Sequence, residues 1–310
     1  MQRSSAFVLA LAFALFSKDA SAFCRTMTKG LQPGCTIGGA ECCAKPEGVP
    51  VFWRNGCVGY NLHEVPSRYI SYNDSAEIIT QAFNRWTAAT CTPVSDGDGR
   101  SRVSIDVRDL GPVKCGTVSY DRFGGPNQHV IAYRDDIWNK NDPDNTLALT
   151  TVQFDSVSGE IYDADMEVNT LLIGKQLAVK DEPQAQEYDF LSVITHEVGH
   201  FLGMAHSNDR NATMYKAYDP GAFAMRDLTQ DDVQGLCSAY PPNGTRITGQ
   251  DEPLAEEVCD PTPRGGFTTE CADQKKACAT SAGPAQGSSS WSLGALALAV
   301  ALSFRRARRA

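Results

Sequence analysis

The sequence lacks a surplus of basic residues. Its 28 Lys and Arg residues are outnumbered by 37 Asp and Glu residues, which gives a formal net charge of −9 at pH 7. Binding to nucleic acid depends on basic patches that neutralise phosphates. The only dense basic group is the run of arginines at 305–309. The charge balance therefore argues for no nucleic-acid partner.

Long apolar runs are also missing. The two most apolar stretches, residues 6–16 and 291–304, are both shorter than the roughly 20 residues that a membrane-spanning helix needs. Arg3 precedes the first stretch, and the small residues Ala20, Ser21 and Ala22 follow it. This order is typical of a secretory signal peptide. We therefore predict that residues 1–22 are removed and that the exported chain begins at Phe23.

Cysteine, in contrast, is abundant. Eleven cysteines in an exported chain predict disulfide bonds, because oxidising compartments allow such bridges to persist. The odd number leaves one cysteine over. Cys278, which stands just before a low-complexity stretch, is our candidate for it. The other ten would form five bridges, and their connectivity cannot be read from the sequence.

Composition divides the chain into five parts. Residues 49–242 alternate between strand-like and helix-like patterns and would form one folded domain. The flanking parts have no such periodicity, and 243–290 has the composition of a disordered linker. The predicted order is a signal peptide at 1–22, a Cys-rich segment at 23–48, the domain at 49–242, the linker at 243–290 and an apolar segment with an Arg cluster at 291–310.

Three helices are predicted inside this domain. The first contains residues 78–86 at helical spacing and would be capped by Asp74 with Glu77. The second covers about 190–202, with Asp189 as its cap and Gly203 at its end, and the third covers about 230–239 behind a capping box. The capping box of the third helix is Thr229 with Asp232.

The motif with the clearest chemistry begins in the second helix. It reads His196-Glu197-Val198-Gly199-His200 and continues through Gly203 to His206. Residues four apart share one face of a helix, so His196 and His200 can bind the same ion. Gly203 allows the chain to turn back, so that His206 adds a third nitrogen. Three imidazoles suit Zn²⁺ and leave a fourth position open for catalysis.

Glu197 lies beside this predicted zinc site without occupying a ligand position. It could take a proton from zinc-bound water and pass it to a leaving amine, which makes it the predicted general base of peptide hydrolysis. The plainer alternative is a helix with ordinary buried histidines. A binding module or adhesin with a purely structural zinc is another. Glu197 argues against the latter, because a structural site needs a fourth protein ligand and gains nothing from a base.

The extended motif, followed by Met214, resembles that of the metzincin zinc peptidases. Within that clan, the Met214-Tyr215 pair and the run 228–235 ahead of Tyr240 look like the matrixins. The resemblance implies an α+β fold, namely a metzincin (zincin-like) twisted mixed five-stranded sheet with three helices and a Met-turn. It also implies a zinc metalloendopeptidase that acts on extracellular or cell-surface proteins or peptides. Residues 147–150 resemble the matrixin edge strand that pairs with substrate.

Other candidate sites are weaker. Asp163, Asp165 and Glu167 alternate along a predicted strand, so they could bind Ca²⁺ or could form a solvated strand face. His63 and His129 each stand alone and are assigned no function. The pair at 42–43 could supply a thiolate that blocks the zinc, as in matrixin proforms, although disulfide pairing suits an exported chain better.

The end of the chain resembles the three-part sorting signals of myxobacterial surface proteins. Cys278, the apolar residues 291–304 and the arginines at 305–309 supply a cysteine, a short apolar segment and a basic cluster. The segment is short for a permanent anchor, so transient membrane association before cleavage is predicted. The mature protein is therefore expected as a secreted monomer retained at the cell surface or outer membrane.

Overall fold

The computed structural model describes residues 23–29, 47–91, 101–138, 140, 146–173, 176–180, 182–242, 244, 246–247, 253–254, 258–271 and 298–301. The signal peptide at 1–22 and the cysteines at 35, 42, 43 and 278 lie outside the described residues, and so does the Arg cluster.

The structure contains the following strands and helices, each numbered in chain order. The strands are β1 (Cys24–Arg25), β2 (Cys57–His63), β3 (Asp106–Val113), β4 (Val130–Tyr133), β5 (Ala148–Phe154), β6 (Ile161–Val168), β7 (Leu177–Ala178), β8 (Tyr188–Asp189), β9 (Met204–Ala205), β10 (Arg246–Ile247), β11 (Pro253–Leu254) and β12 (Leu298–Ala301). The helices are α1 (Tyr72–Thr87), the one-turn α2 (Thr170–Ile173), α3 (Phe190–Phe201) and α4 (Gln230–Ala239), with a 3-10 turn at Ala224–Arg226.

One mixed sheet forms the centre of the domain, with strand order β3-β2-β4-β6-β5 and β12 added outside β5. Strands β3, β2, β4 and β6 run parallel, whereas β5 is antiparallel to β6. Together with the three longer helices, this arrangement confirms the predicted α+β fold and its mixed five-stranded sheet. The sixth strand, β12, comes from the segment that the sequence assigned to sorting.

Helix α1 packs against α3 through aromatic side chains. Phe83 meets Phe201 edge to face at 5.3 Å, and the Trp86 indole N–H donates to the Thr195 carbonyl at 2.8 Å. The predicted cap of α1 is wrong by one turn. The helix begins at Tyr72, and the side chain of Ser71 accepts a hydrogen bond from the Asp74 N–H at 3.1 Å. Ser71 has the extended backbone of an N-cap residue, so Asp74 lies inside the first turn.

Disulfide bonds tie distant parts of the chain to the sheet, as expected for an exported protein. The bonds between described cysteines include Cys57–Cys259, Cys91–Cys237 and Cys115–Cys271. Two of them fix residues 258–271 against β2 and the loop after β3, and Lys114 N–H also donates to the Thr269 carbonyl at 2.9 Å.

The prediction of an unstructured linker over 243–290 is therefore wrong for residues 258–271. Composition alone missed the order of this stretch, because the disulfides and backbone hydrogen bonds supply contacts that its few apolar residues could not. Within the part of the chain that the structure describes, no helix has the length and apolar character to cross a membrane.

Candidate metal centre

Helix α3 carries the predicted site and is buried along its whole length. Its cap is Asp189, as predicted, because the Asp189 carboxylate accepts from the Ser192 N–H at 2.8 Å. Arg226 forms a salt bridge with the same carboxylate at 2.6 Å. The ion pair compensates the burial of Asp189, whose negative charge also suits a helix N-terminus. The beginning of α3 is thereby fixed in the core.

The structure brings the three motif histidines together. His196 and His200 lie one turn apart on α3, and their Nε2 atoms are 3.1 Å from each other. Gly203 has a φ of 90°, which turns the chain back after the helix and places His206 beside them. One ligand atom from each of the three histidines lies within 4.8 Å of the others. Among the described residues, this is the group arranged to hold a metal ion.

Backbone carbonyls orient two of the three rings. The Nδ1–H of His196 donates to the Thr213 carbonyl at 2.6 Å, and the Nδ1–H of His200 donates to the Met204 carbonyl at 2.9 Å. Each ring therefore turns an unprotonated Nε2 toward the centre of the cluster. Burial lowers the pKa of His200 to about 4 and lowers the pKa of His196 and His206 well below the usual value. Neutral imidazoles are the form that binds metal.

Three buried side-chain atoms in this cluster have no hydrogen-bond partner. Both ring nitrogens of His206 and the Oε1 atom of Glu197 are buried without one. Buried polar atoms left unpaired cost free energy, and their presence in a native site needs an explanation. A Zn²⁺ ion held by His196, His200 and His206 would satisfy one of the two ring nitrogens of His206. The donor set and the geometry therefore fit a zinc ion with one open position.

Glu197 is linked to the sheet by one side-chain hydrogen bond. The Thr150 hydroxyl, on β5, donates to Glu197 Oε2 at 2.6 Å and lies 3.2 Å from the Glu197 carbonyl. Burial raises the pKa of Glu197 to about 8. A bound divalent cation would lower this pKa again, because it favours the ionised carboxylate. Thr150 holds Oε2, whereas Oε1 has no hydrogen-bond partner.

Met214, which the resemblance expects as the Met-turn residue, packs against the helix that carries His196 and His200. Its side chain is buried against Gly199, and a Cβ added at Gly199 would lie 2.7 Å from Trp86 Cζ2 and closer still to Met214 Sδ. A side chain at position 199 is therefore excluded by packing. The turn itself is held by Asp232 on α4, which accepts from the Thr213 N–H at 2.9 Å and the Met214 N–H at 3.0 Å.

The predicted first residue of the exported chain also reaches this region. The Phe23 N–H donates to Asp231 Oδ1 at 2.8 Å, and the Ser207 hydroxyl donates to Asp231 Oδ2 at 2.6 Å. The Phe23 ring packs on Gly235 of α4. Strand β1 then pairs with β9, just before His206. Sequence reasoning assigned no role to Asp231, because its partners are distant along the chain.

The other candidate residues do not join this cluster. Asp163, Asp165 and Glu167 are all buried, so a solvated strand face is wrong. Burial raises the pKa of Asp163 to about 8 and that of Asp165 well above its usual value. The binding of Ca²⁺ by these residues stays a prediction. Their protein partners are Asn127, the backbone N–H groups of Ser119 and Val130, Arg134 and Lys140.

The two lone histidines also lie away from the cluster. His129 is buried, with its Nδ1–H directed at the Gly59 carbonyl at 2.8 Å and its ring tilted against Trp53. His63 lies within hydrogen-bond distance of the carbonyl oxygens of Val65 and Lys114. Both have the local partners of packed structural residues.

The fold and the three-histidine site resemble those of the metzincins. Residues 126–241 match the family model described as Matrixin, so this part of the chain is matrixin-like. The chain is 42% identical to interstitial collagenase of Bos taurus over 216 residues, which cover 67% of this chain and 36% of the collagenase.

Two other relatives are more distant or shorter in coverage. Metalloendoproteinase 1-MMP of Arabidopsis thaliana is 25% identical over 175 residues, which cover 56% of this chain and 40% of the relative. Matrilysin of Homo sapiens is 48% identical over 52 residues, which cover 17% of this chain and 20% of the relative. The chain thus spans well under half the length of these relatives.

Proposed function

We propose that the chain is a zinc-dependent endopeptidase, with His196, His200 and His206 as the zinc ligands and Glu197 as the general base. The observation that carries the proposal is the buried cluster of three neutral imidazoles beside a carboxylate with one free oxygen. Zinc, when bound, polarises the scissile carbonyl and makes water a stronger acid. A structural zinc would need a fourth protein ligand.

Four residues around the metal site have defined tasks in this reaction. Glu197 accepts a proton from the attacking water at Oε1 and delivers it to the nitrogen of the leaving amine. Thr150 holds Oε2, which fixes the carboxylate plane. Thr213 and Met204 hold the Nδ1 protons of His196 and His200 through their carbonyls, so both rings keep Nε2 free.

The substrate lies extended along the outer edge of β5. Thr150 connects this strand to Glu197, so a peptide paired with β5 runs past the general base. Backbone pairing supplies affinity in this mode, and side-chain pockets supply selectivity. The loop at 215–223 forms the pocket beyond the scissile bond. Its Tyr218 is buried and donates its hydroxyl to the Ala222 carbonyl, which gives the loop a fixed shape.

One digest tests the proposal. The purified protein is incubated with a peptide library, with and without a chelator, and its bound metal is measured. Cleavage that is lost on chelation and regained with Zn²⁺ is expected. Bound zinc without cleavage under any condition would contradict the proposal and favour a structural zinc module. The same digest separates broad degradation from processing of one partner protein.

The location of the protein is part of the proposal. Export through residues 1–22 places the enzyme outside the cytoplasm, and the sorting signal with Cys278 retains it at the surface. The disulfides Cys57–Cys259, Cys91–Cys237 and Cys115–Cys271 support an oxidising location. Intact-mass measurement of the native protein is expected to show a chain that begins at Phe23 and lacks residues 291–310. A native chain that still carries them would contradict the processing step.

A further inference from the structure

The two edge positions of the five-stranded sheet, β3 and β5, differ in how readily they can pair with an additional strand. Strand β3 carries Asp106, Arg108 and Asp109, followed by Gly111 and a proline. Its pairing with β2 is also irregular. Charges, prolines and irregular pairing are the features by which edge strands avoid extra partners. The edge at β3 is therefore protected by its own sequence.

Over Ala148 to Gln153, strand β5 has none of these features, and its register with β6 shifts only after Gln153. The residues of Ala148–Phe154 include no charged side chain and no proline, and the strand pairs regularly with β6 over Ala148 to Gln153. An unprotected edge of this kind accepts an extended segment through main-chain hydrogen bonds. Because β5 also carries Thr150, whatever pairs with this edge lies next to the general base.

The structure contains a segment on that edge. Strand β12 pairs antiparallel with β5, and its register joins Leu298 to Val152 and Ala301 to Leu149. Val300 is opposite Thr150, the residue that donates to Glu197 Oε2. The pairing involves the backbone of four consecutive residues. It is the interaction that an extended substrate would make with the same strand.

We infer that residues 298–301 occupy the substrate-binding edge from within the chain and hold the enzyme inhibited until this segment leaves. The inference rests on the proposed function, since it assigns a regulator to that same site. An attached segment competes at a fixed effective concentration, which a substrate must exceed. Removal of residues 291–310 would then release the edge.

The inference is tested with the full chain and a double substitution, Ala299→Pro with Val300→Pro. Adjacent residues of a strand point their N–H groups in opposite directions, so one of these two faces β5. Proline at the position that faces β5 removes this donor and with it a ladder hydrogen bond. The matched control is Ser290→Pro, which places a proline eight residues before β12.

The first measurement is steady-state cleavage of a fluorogenic peptide, with intact mass recorded to show that residues 291–310 remain attached. If the segment covers β5 in about nine molecules of ten, the KM of the double variant falls about tenfold with kcat unchanged. The control keeps the KM of the unmodified chain. The difference is expected to be independent of protein concentration, because the competitor is in the same chain.

The second measurement does not depend on activity. Hydrogen exchange of the backbone amides at 149–152 is followed in zinc-loaded Glu197→Gln chains, so that cleavage cannot shorten them. The double proline variant is expected to exchange these amides faster than the control. Equal exchange, or an equal KM in active chains, overturns the inference. If no chain cleaves any peptide, the proposed function has failed and the inference falls with it.

Discussion

Two buried carboxylates near the zinc cluster have opposite surroundings. Glu197, on α3, receives one side-chain hydrogen bond, from Thr150, and its Oε1 is buried without a partner. Asp232, on α4, receives backbone N–H bonds from Thr213, Met214 and Thr229 and a hydroxyl bond from Thr229. Both side chains are buried.

The comparison separates a reactive group from a structural one. A carboxylate that accepts several backbone hydrogen bonds is held in one place. Few of its lone pairs remain free to accept a proton during a reaction. A carboxylate with one free oxygen is costly to bury, and such a cost is typical of functional sites. Glu197 should therefore control the rate, whereas Asp232 should control stability and the position of the metal ligands.

The largest expected effect is that of Glu197→Gln. The amide keeps the shape of the side chain but cannot accept the proton, so we expect kcat/KM to fall by about 10³-fold or more. Zinc content and the free energy of unfolding should not decrease, because an unpaired buried charge is removed. Metal analysis and urea unfolding measure both. Loss of zinc from this variant would instead show that Glu197 is a metal ligand. It would contradict the assignment of Glu197 as the reactive carboxylate and Asp232 as the structural one.

The next effect is that of Asp232→Ala. It leaves the N–H groups of Thr213 and Met214 buried without acceptors, which should lower the free energy of unfolding by about 3 kcal/mol. Zinc affinity should also fall, because the Thr213 carbonyl orients His196. The control is Asp227→Ala, which removes only an exposed ion pair with Arg85 and should cost less than about 1 kcal/mol. Equal losses in the two variants would contradict the structural role of Asp232.

The sequence predicted those parts of the site that depend on local spacing. Asp189 caps α3, Gly203 ends it with a positive φ, and His196 and His200 share one face of the helix because they are four residues apart. These features need only the chain geometry of about fifteen residues. The capping box of α4, Thr229 with Asp232, was predicted for the same reason and is confirmed.

The parts that the sequence could not provide depend on contacts between distant residues. Thr150 is 47 positions from Glu197, and Cys57 is 202 positions from Cys259. The second task of Asp232, holding the Met214 turn, requires α4 to lie beside a loop about 18 residues earlier in the chain. Residues 298–301 were assigned to sorting from their order in the chain, and their pairing with β5 cannot be deduced from composition.

A smaller effect is expected for Thr150→Val, which keeps the shape of the side chain and removes the donor to Glu197. The carboxylate then loses its fixed plane, and kcat/KM should fall about tenfold, or about 1.4 kcal/mol of transition-state stabilisation. Thr150→Ser keeps the hydroxyl and should retain most of the activity. If the Thr150→Val and Thr150→Ser variants have equal kcat/KM values, the hydrogen bond from Thr150 to Glu197 does not position the carboxylate.

The smallest effect concerns Asp231, the neighbour of Asp232 on α4. Its carboxylate accepts from Phe23 and Ser207 at the edge of the domain, and an asparagine there keeps one acceptor oxygen. We expect Asp231→Asn to lower the free energy of unfolding by about 1 kcal/mol or less in urea, with zinc affinity unchanged. The loss should be greater in a chain that begins at Phe23 than in one that retains Ala22, because only the former places an ammonium group beside the carboxylate. A loss as large as that of Asp232→Ala in both chains would show that the two adjacent carboxylates share one structural task.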